Sequence, residues 1–157
     1  MDKQMEALAQ AMAPGRKTVF FGGAGVSTES GIPDFRSAGG NYGRQYASPP
    51  EVMVSHSFFM AHPDEFYEFY RREMVWPRAK PNAAHIRLAE LEAEGRVTAV
   101  VTQNIDGLHQ MAGSKNVLEL HGSIHRNRCM RCGRKYGLEV ILTTDGELAQ
   151  HLTHPSN

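Results

Sequence analysis

Thr18-Val19-Phe20-Phe21-Gly22-Gly23-Ala24-Gly25-Val26-Ser27-Thr28-Glu29-Ser30-Gly31-Ile32-Pro33-Asp34-Phe35-Arg36 is the stretch from which the fold is read. Its first four residues, Thr18 to Phe21, form an apolar run that reads as a buried strand. The run breaks into Gly-Gly-Ala-Gly and small hydroxyl residues, which lets bare backbone N–H groups approach a phosphate. The spacing is not the usual G-x-G-x-x-G, and a tight strand-to-helix turn capped by Ser27, Thr28 and Glu29 also accounts for it. A turn alone needs none of Asp34, Phe35 and Arg36. An acid, an aromatic and a guanidinium after Pro33 point to a site that holds a charged nucleotide and acts on it.

Two further strands follow. Val97 to Thr102 is strongly β-branched, and Val117-Leu118-Glu119-Leu120 is a shorter apolar run. Helical patterns lie before and between the strands. Met5, Leu8 and Met12 recur at helical spacing, and Pro14-Gly15 closes that segment. Ser48-Pro49-Pro50-Glu51 reads as a helix start with a hydroxyl cap. His62-Pro63-Asp64 starts another helix, with Phe66, Phe69, Tyr70 and Met74 as its stripe. Asn82 to Glu94 faces inward through Ala84, Leu88 and Leu91 and stops at Gly95. Strands alternating with helices imply an α/β fold with a parallel sheet. The segment from about Gly137 to Asn157 shows no obvious periodicity.

Composition sets bounds. The 157 residues suffice for one core and a small satellite module. Net charge is zero, so nothing global favours a nucleic acid or a membrane partner. The start, Met1-Asp2-Lys3-Gln4, lacks the apolar core of a signal peptide, and no run is long enough for a spanning helix. These features lead us to expect a cytoplasmic protein.

Three more clusters carry candidate chemistry. Thr102-Gln103-Asn104-Ile105-Asp106-Gly107-Leu108-His109 lies where the second strand ends, and ligands of open α/β sheets sit at the carboxyl ends of strands. Its amides and carboxylate suit a ribose and a carboxamide, and equally an Asx-rich turn capping the next helix. Leu120-His121-Gly122 places a histidine at the end of the third strand, where it suits a base near neutral pH, although a lone histidine is more often structural. Cys129-Met130-Arg131-Cys132-Gly133 is a single C-x-x-C with a glycine after it, as in zinc knuckles; a redox pair or two plain thiols remain open. Arg126, Arg128, Arg131, Arg134 and Lys135 around it read as a solvated face.

These four clusters, in this order, resemble the sirtuin family of NAD-dependent protein deacylases. The matching motifs are Gly23–Arg36, Thr102–His109, Glu119–Gly122 and the C-x-x-C-G at Cys129, and the resemblance runs from the first helix to about Tyr136. It implies a Rossmann-like parallel sheet over residues 1–121, a helical insertion at about 38–80, and a partial zinc-ribbon module with an irregular tail over 122–157. Gly23, Ala24, Gly25 and Thr28 would line the pyrophosphate and ribose of NAD. Asp34, Phe35 and Arg36 would complete that wall, Phe35 covering the nicotinamide side and Arg36 holding the NAD. Gln103 would contact the nicotinamide ribose. Asn104, Ile105 and Asp106 would form the nicotinamide pocket, with Asn104 counted as catalytic beside the general base His121.

In the implied reaction the acyl oxygen of an acetyl-lysine protein or peptide attacks C1′ of the nicotinamide ribose and nicotinamide leaves. His121 then deprotonates a ribose hydroxyl, which attacks the imidate carbon, leading to free lysine and O-acetyl-ADP-ribose. NAD is therefore a consumed co-substrate, and zinc is structural, held here by Cys129 and Cys132 alone. Relatives that prefer dicarboxyl acyl groups carry a Tyr-x-x-Arg pair in the helix at Phe66–Glu73, absent here, so an acetyl preference is expected. The second C-x-x-C, the later strands and the adenosine-ribose loop of the family are not in the sequence. The expectation is an N-terminal portion with weak zinc binding, poor solubility and reduced or no activity. A non-catalytic NAD-binding relic or interaction module, or an ADP-ribosyltransferase, is the alternative.

Overall fold

A β-branched run with no glycine or proline in it makes the middle strand of the sheet. The computed structural model describes residues 2–34 and 48–143. Strand β2 (Val97–Thr102) lies between β1 (Thr18–Gly22) and β3 (Val117–Glu119), both parallel to it. Phe20 faces Val100, while Phe21, Val101 and Leu118 share a row across all three strands. The α/β expectation is met: a parallel sheet whose strands are joined through helices.

Because strand side chains alternate, the sheet has two unlike faces. On one, Phe20, Val100 and Val117 pack with Leu88 and Leu91 of helix α5 (Ala83–Ala93) and with Met12, which follows helix α1 (Lys3–Ala11). On the other, Val19, Phe21, Leu118 and the nearby Leu120 are more than half exposed.

A second core lies in the helical part. Helices α2 (Pro50–Met53), α3 (His56–Ala61) and α4 (Pro63–Glu73) precede α5. Phe59, Phe66, Tyr67 and Tyr70 form a buried aromatic cluster with Val75, Ile124, Val140 and Ile141. Phe66 lies edge-on to Phe59 with centroids 5.0 Å apart and is stacked on Tyr70 at 5.5 Å. Val140 and Ile141 come from helix α7 (Glu139–Thr143), and Ile124 precedes a ribbon of β4 (Asn127–Arg128) and antiparallel β5 (Lys135–Tyr136). Asn127 Nδ2 donates to the carbonyls of Ile124 and Gly137, fixing the base of this ribbon.

Several local expectations are corrected. Ser48 does not cap α2: Pro49 holds the cap position, without a side-chain bond, and the helix lasts four residues. Ser55 accepts from the Phe58 N–H and restarts the chain as α3. Ala84 is exposed, and the inward position belongs to His85, one turn before Leu88, whose ring meets helix α6 (Leu108–Ala112). In α4, Tyr67 is fully buried and Met74 only half-buried. The aperiodic segment after Gly137 contains α7, five residues that are too few to show a period and are held by tertiary packing.

Candidate functional site

The glycine loop and the end of β2 meet at the carboxyl ends of two adjacent parallel strands. After β1 the chain makes a short 3-10 segment, Ala24–Ser30, which ends at Gly31 in the left-handed region. Ser27 is completely buried within it. Its Oγ donates to Asp106 Oδ2 at 2.7 Å and accepts from Asn104 Nδ2 at 2.9 Å. Asp106 Oδ1 accepts from the Leu108 N–H at 2.9 Å, so one carboxylate caps the entry to α6 and grips the glycine loop. Asn104 is set by its own N–H, which donates to Thr102 Oγ1.

Close approach explains two glycines. A Cβ at Gly23 would sit 2.9 Å from Gln103 Oε1, so the bare Gly23 backbone is what admits the Gln103 side chain. Gly107 has φ +74° and lies under the His125 ring, whose Nε2 is 3.0 Å from the Asp106 carbonyl oxygen. Above Gly25 the space is open.

Asn82 ties the loop down from behind. Its side chain caps α5 by accepting from Ala84 N–H, and its Nδ2 donates to the Val26 carbonyl and Ser30 Oγ. Beneath lie two buried imidazoles, His85 and His109, with centroids 4.7 Å apart. Burial lowers the pKa of His85, against the pull of Asp106. Burial, then the neighbouring His85, lowers that of His109 to about 4, again opposed by Asp106.

The His109 shift has a consequence for stability. Between pH 6.5 and about 4 the unfolded chain binds a proton at this position that the folded chain refuses. Stability is thus full above pH 6.5 and is lost as pH falls, by roughly 3 kcal/mol for a shift of this size. Calorimetric melting from pH 7 to 4.5 should show this loss. His109→Phe, which cannot titrate, should flatten the slope; an unchanged slope would contradict it.

The expected site residues divide as follows. Gly23 and Gln103 are side by side, and Asn104 and Asp106 are joined through Ser27. Ile105 packs its side chain against the aromatic cluster and accepts the Ile124 N–H, linking the site to the second core. Ala24 and Gly25 open the 3-10 segment, and Thr28 is exposed, bonded to the Gly25 carbonyl. His121 is exposed in the turn after β3, where the Leu120 N–H donates to the Thr102 carbonyl and brings that turn beside the end of β2. Asp34 closes the described segment; Phe35 and Arg36 lie outside the described residues.

Ser27, Asn82, His85 and His109 join this network without having been singled out as ligand-binding positions. The signal was partly present: Ser27 and His109 each stand inside a quoted motif, and Asn82 stands at a helix start.

The set suits a dinucleotide: backbone at a glycine loop, and an amide and a carboxylate at strand carboxyl ends that the buried Ser27 hydroxyl ties together. For zinc the fit is incomplete. The Cys132 and Arg131 backbone N–H groups turn toward Cys129 and lower its thiol pKa, as in a zinc knuckle. A tetrahedral structural site takes four donors, and among the described residues no group of three or more His, Cys, Asp or Glu is placed to hold a metal. Among the same residues no helix is long and apolar enough to cross a membrane.

A Sir2 family model matches residues 23–152. An NAD-dependent protein deacetylase of Clostridium acetobutylicum is 57% identical over 147 residues, covering 92% of this chain and 60% of its own length. A Sir2 structure holding a deacetylated p53 peptide and 3′-O-acetyl ADP ribose is 45% identical, with a TM-score of 0.77, covering 86% of this chain and 54% of that one. A Sir2 structure with a p53 peptide and NAD+ has a TM-score of 0.78 at 38% identity, covering 99% of this chain and 63% of that one. The chain spans about 60% of the length of the curated relatives it matches.

Proposed function

The chain belongs to the Sir2 family, and on that premise we propose that it supplies the NAD-binding wall of an NAD-dependent protein-lysine deacetylase. The observation that carries the reading is the hydrogen-bonded set Ser27–Asp106–Asn104, which joins the glycine loop to the carboxyl end of β2. NAD brings an electrophilic ribose carbon whose bond to nicotinamide breaks as an acetyl-lysine oxygen adds to it.

The chain's residues divide the remaining work. Gly23, Ala24, Gly25 and Thr28 offer backbone and small side chains to the phosphates and ribose. Asp34, Phe35 and Arg36 continue that wall. Asp106 already has one oxygen on Ser27 and one on Leu108 N–H, and each carboxylate oxygen keeps a lone pair for a carboxamide N–H. Asn104, anchored through its Nδ2, keeps its carbonyl for the ribose, and Gln103 stands beside it at Gly23. His121, exposed at the neighbouring strand end, takes the ribose proton as general base. Cys129 and Cys132 contribute two thiolates to a structural zinc.

The acyl group taken is acetyl. In α4 no arginine follows a tyrosine by three residues, and both Tyr67 and Tyr70 are buried in the aromatic cluster. Isothermal titration of the purified chain with NAD, followed by chromatography of nicotinamide released with acetyl- or succinyl-lysine peptide, tests the proposal. Saturable NAD binding is expected, with any peptide-dependent release faster for acetyl-lysine. Absence of NAD binding would refute the site, and faster desuccinylation would refute the acyl preference. Binding without release would favour a non-catalytic NAD-binding module.

A further inference from the structure

We propose that Asn82 is the positioning residue of the glycine loop: its amide clamps the Ala24–Ser30 segment to helix α5 and so holds that wall in place for a nucleotide. The inference rests on the reading of the glycine loop, Asn104 and Asp106 as the nucleotide site. Asn82 Nδ2 donates to the Val26 carbonyl at 2.7 Å and to Ser30 Oγ at 3.1 Å, across 56 and 52 residues of chain. Val26 stands between Gly25, above which the space is open, and Ser27, whose hydroxyl is bonded to Asp106 and Asn104. Adjacent residues of the segment are therefore gripped from two sides, Val26 by α5 and Ser27 by the end of β2. The segment needs such a grip. Its 3-10 run of seven residues is longer than these helices usually are, because their hydrogen-bond geometry is poorer than that of an α-helix.

Capping alone does not call for an asparagine there. The start of α5 needs an acceptor, and Asn82 Oδ1 supplies it to the Ala84 N–H at 3.0 Å; serine, threonine or aspartate would serve as well. The Nδ2 group of the same amide has no part in the cap, and its donors go to the loop. Among short side chains, asparagine alone carries an acceptor and two donors on neighbouring atoms. Aspartate would keep the acceptor and add a charge suited to a helix N-terminus, but would set an oxygen against the Val26 carbonyl oxygen. The backbone of Asn82 is itself fixed, since its N–H donates at 3.3 Å to Nδ1 of the fully buried His85. The clamp thus hangs from the buried side of α5.

The test uses the full chain with Asn82→Ala, which loses cap and clamp together, and Asn82→Asp, which keeps the cap and removes the donors. Hydrogen exchange is followed at the Val26, Gly31 and Ile32 amides, bonded to the Gly23, Thr28 and Ser27 carbonyls, and NAD binding by titration calorimetry. Asn82→Asp is expected to recover the melting temperature that Asn82→Ala loses, with α5 and β2 amides protected. It should nonetheless speed exchange at the three loop amides about tenfold or more. Its NAD Kd should rise about tenfold. A folded Asn82→Asp with unchanged loop exchange, or with faster loop exchange and an unchanged Kd, overturns the proposal and leaves Asn82 as a helix cap. Should Asn82→Asp not fold, Asn82→Ser, which also caps, is judged by the same two outcomes. Absent NAD binding by the starting chain refutes the nucleotide reading instead, and exchange at the loop amides then decides by itself whether Asn82 clamps the segment.

Discussion

Replacing Asp106 with alanine is expected to weaken NAD binding by roughly a hundredfold, about 2.7 kcal/mol, and to destabilise the protein as well. The carboxylate makes two bonds that no other group can replace. Ser27 Oγ, completely buried, loses its acceptor, and the Leu108 N–H loses the cap that opens α6. Each buried group left unpaired costs about 1–3 kcal/mol. For a chain of this size that is a fall of about 2–4 °C in melting temperature per kcal/mol. Asp106→Asn separates the effects: an amide oxygen can still accept one of the two bonds, so stability recovers in part while the charge is gone. Titration calorimetry and thermal melting of both variants check this. An alanine variant that binds NAD as the starting chain does would remove Asp106 from the site.

Phe66→Ala is expected to cost about 3–5 kcal/mol, the range for a fully buried aromatic. Phe66 is inaccessible to solvent and touches Phe59, Tyr67 and Tyr70 with centroids 5.0, 5.3 and 5.5 Å away. Removing it opens a cavity between rings that cannot collapse without losing their mutual geometry. The loss should be regional. Leu88, Leu91, Val97 and Val100 form a separate cluster under the sheet, so β2 amides should retain protection when those of α4 do not. Ile105 packs against the aromatic cluster, so weaker NAD binding should accompany the loss. Urea unfolding with hydrogen exchange measures both; a loss below about 1 kcal/mol would mean that this core relaxes freely.

The strands were legible because their signal is local. Five of the six residues in Val97-Thr98-Ala99-Val100-Val101-Thr102 are β-branched, and the observed β2 has those bounds. The motifs were legible for a different reason. Strand ends in a parallel sheet face one way, so residues that follow β1 and β2 are brought to one rim wherever they lie in the chain. The short elements were not legible. Helix α2 lasts four residues before the Ser55 cap restarts the chain as α3, and α7 is held by Val140 and Ile141 in the aromatic cluster.

The sequence by itself determined the parallel α/β arrangement, the glycine loop and the set of side chains at the strand ends, since each follows from contiguous residues and from strand direction. Only the tertiary structure decided how those side chains are joined. Ser27 reaches Asn104 and Asp106 across 77 and 79 residues of chain, and His85 meets His109 because α5 and α6 pack together. No period or turn rule encodes a contact between positions so far apart. Hydrogen bonds and burial of that kind exist only once the sheet has formed and the loop has been laid across its end.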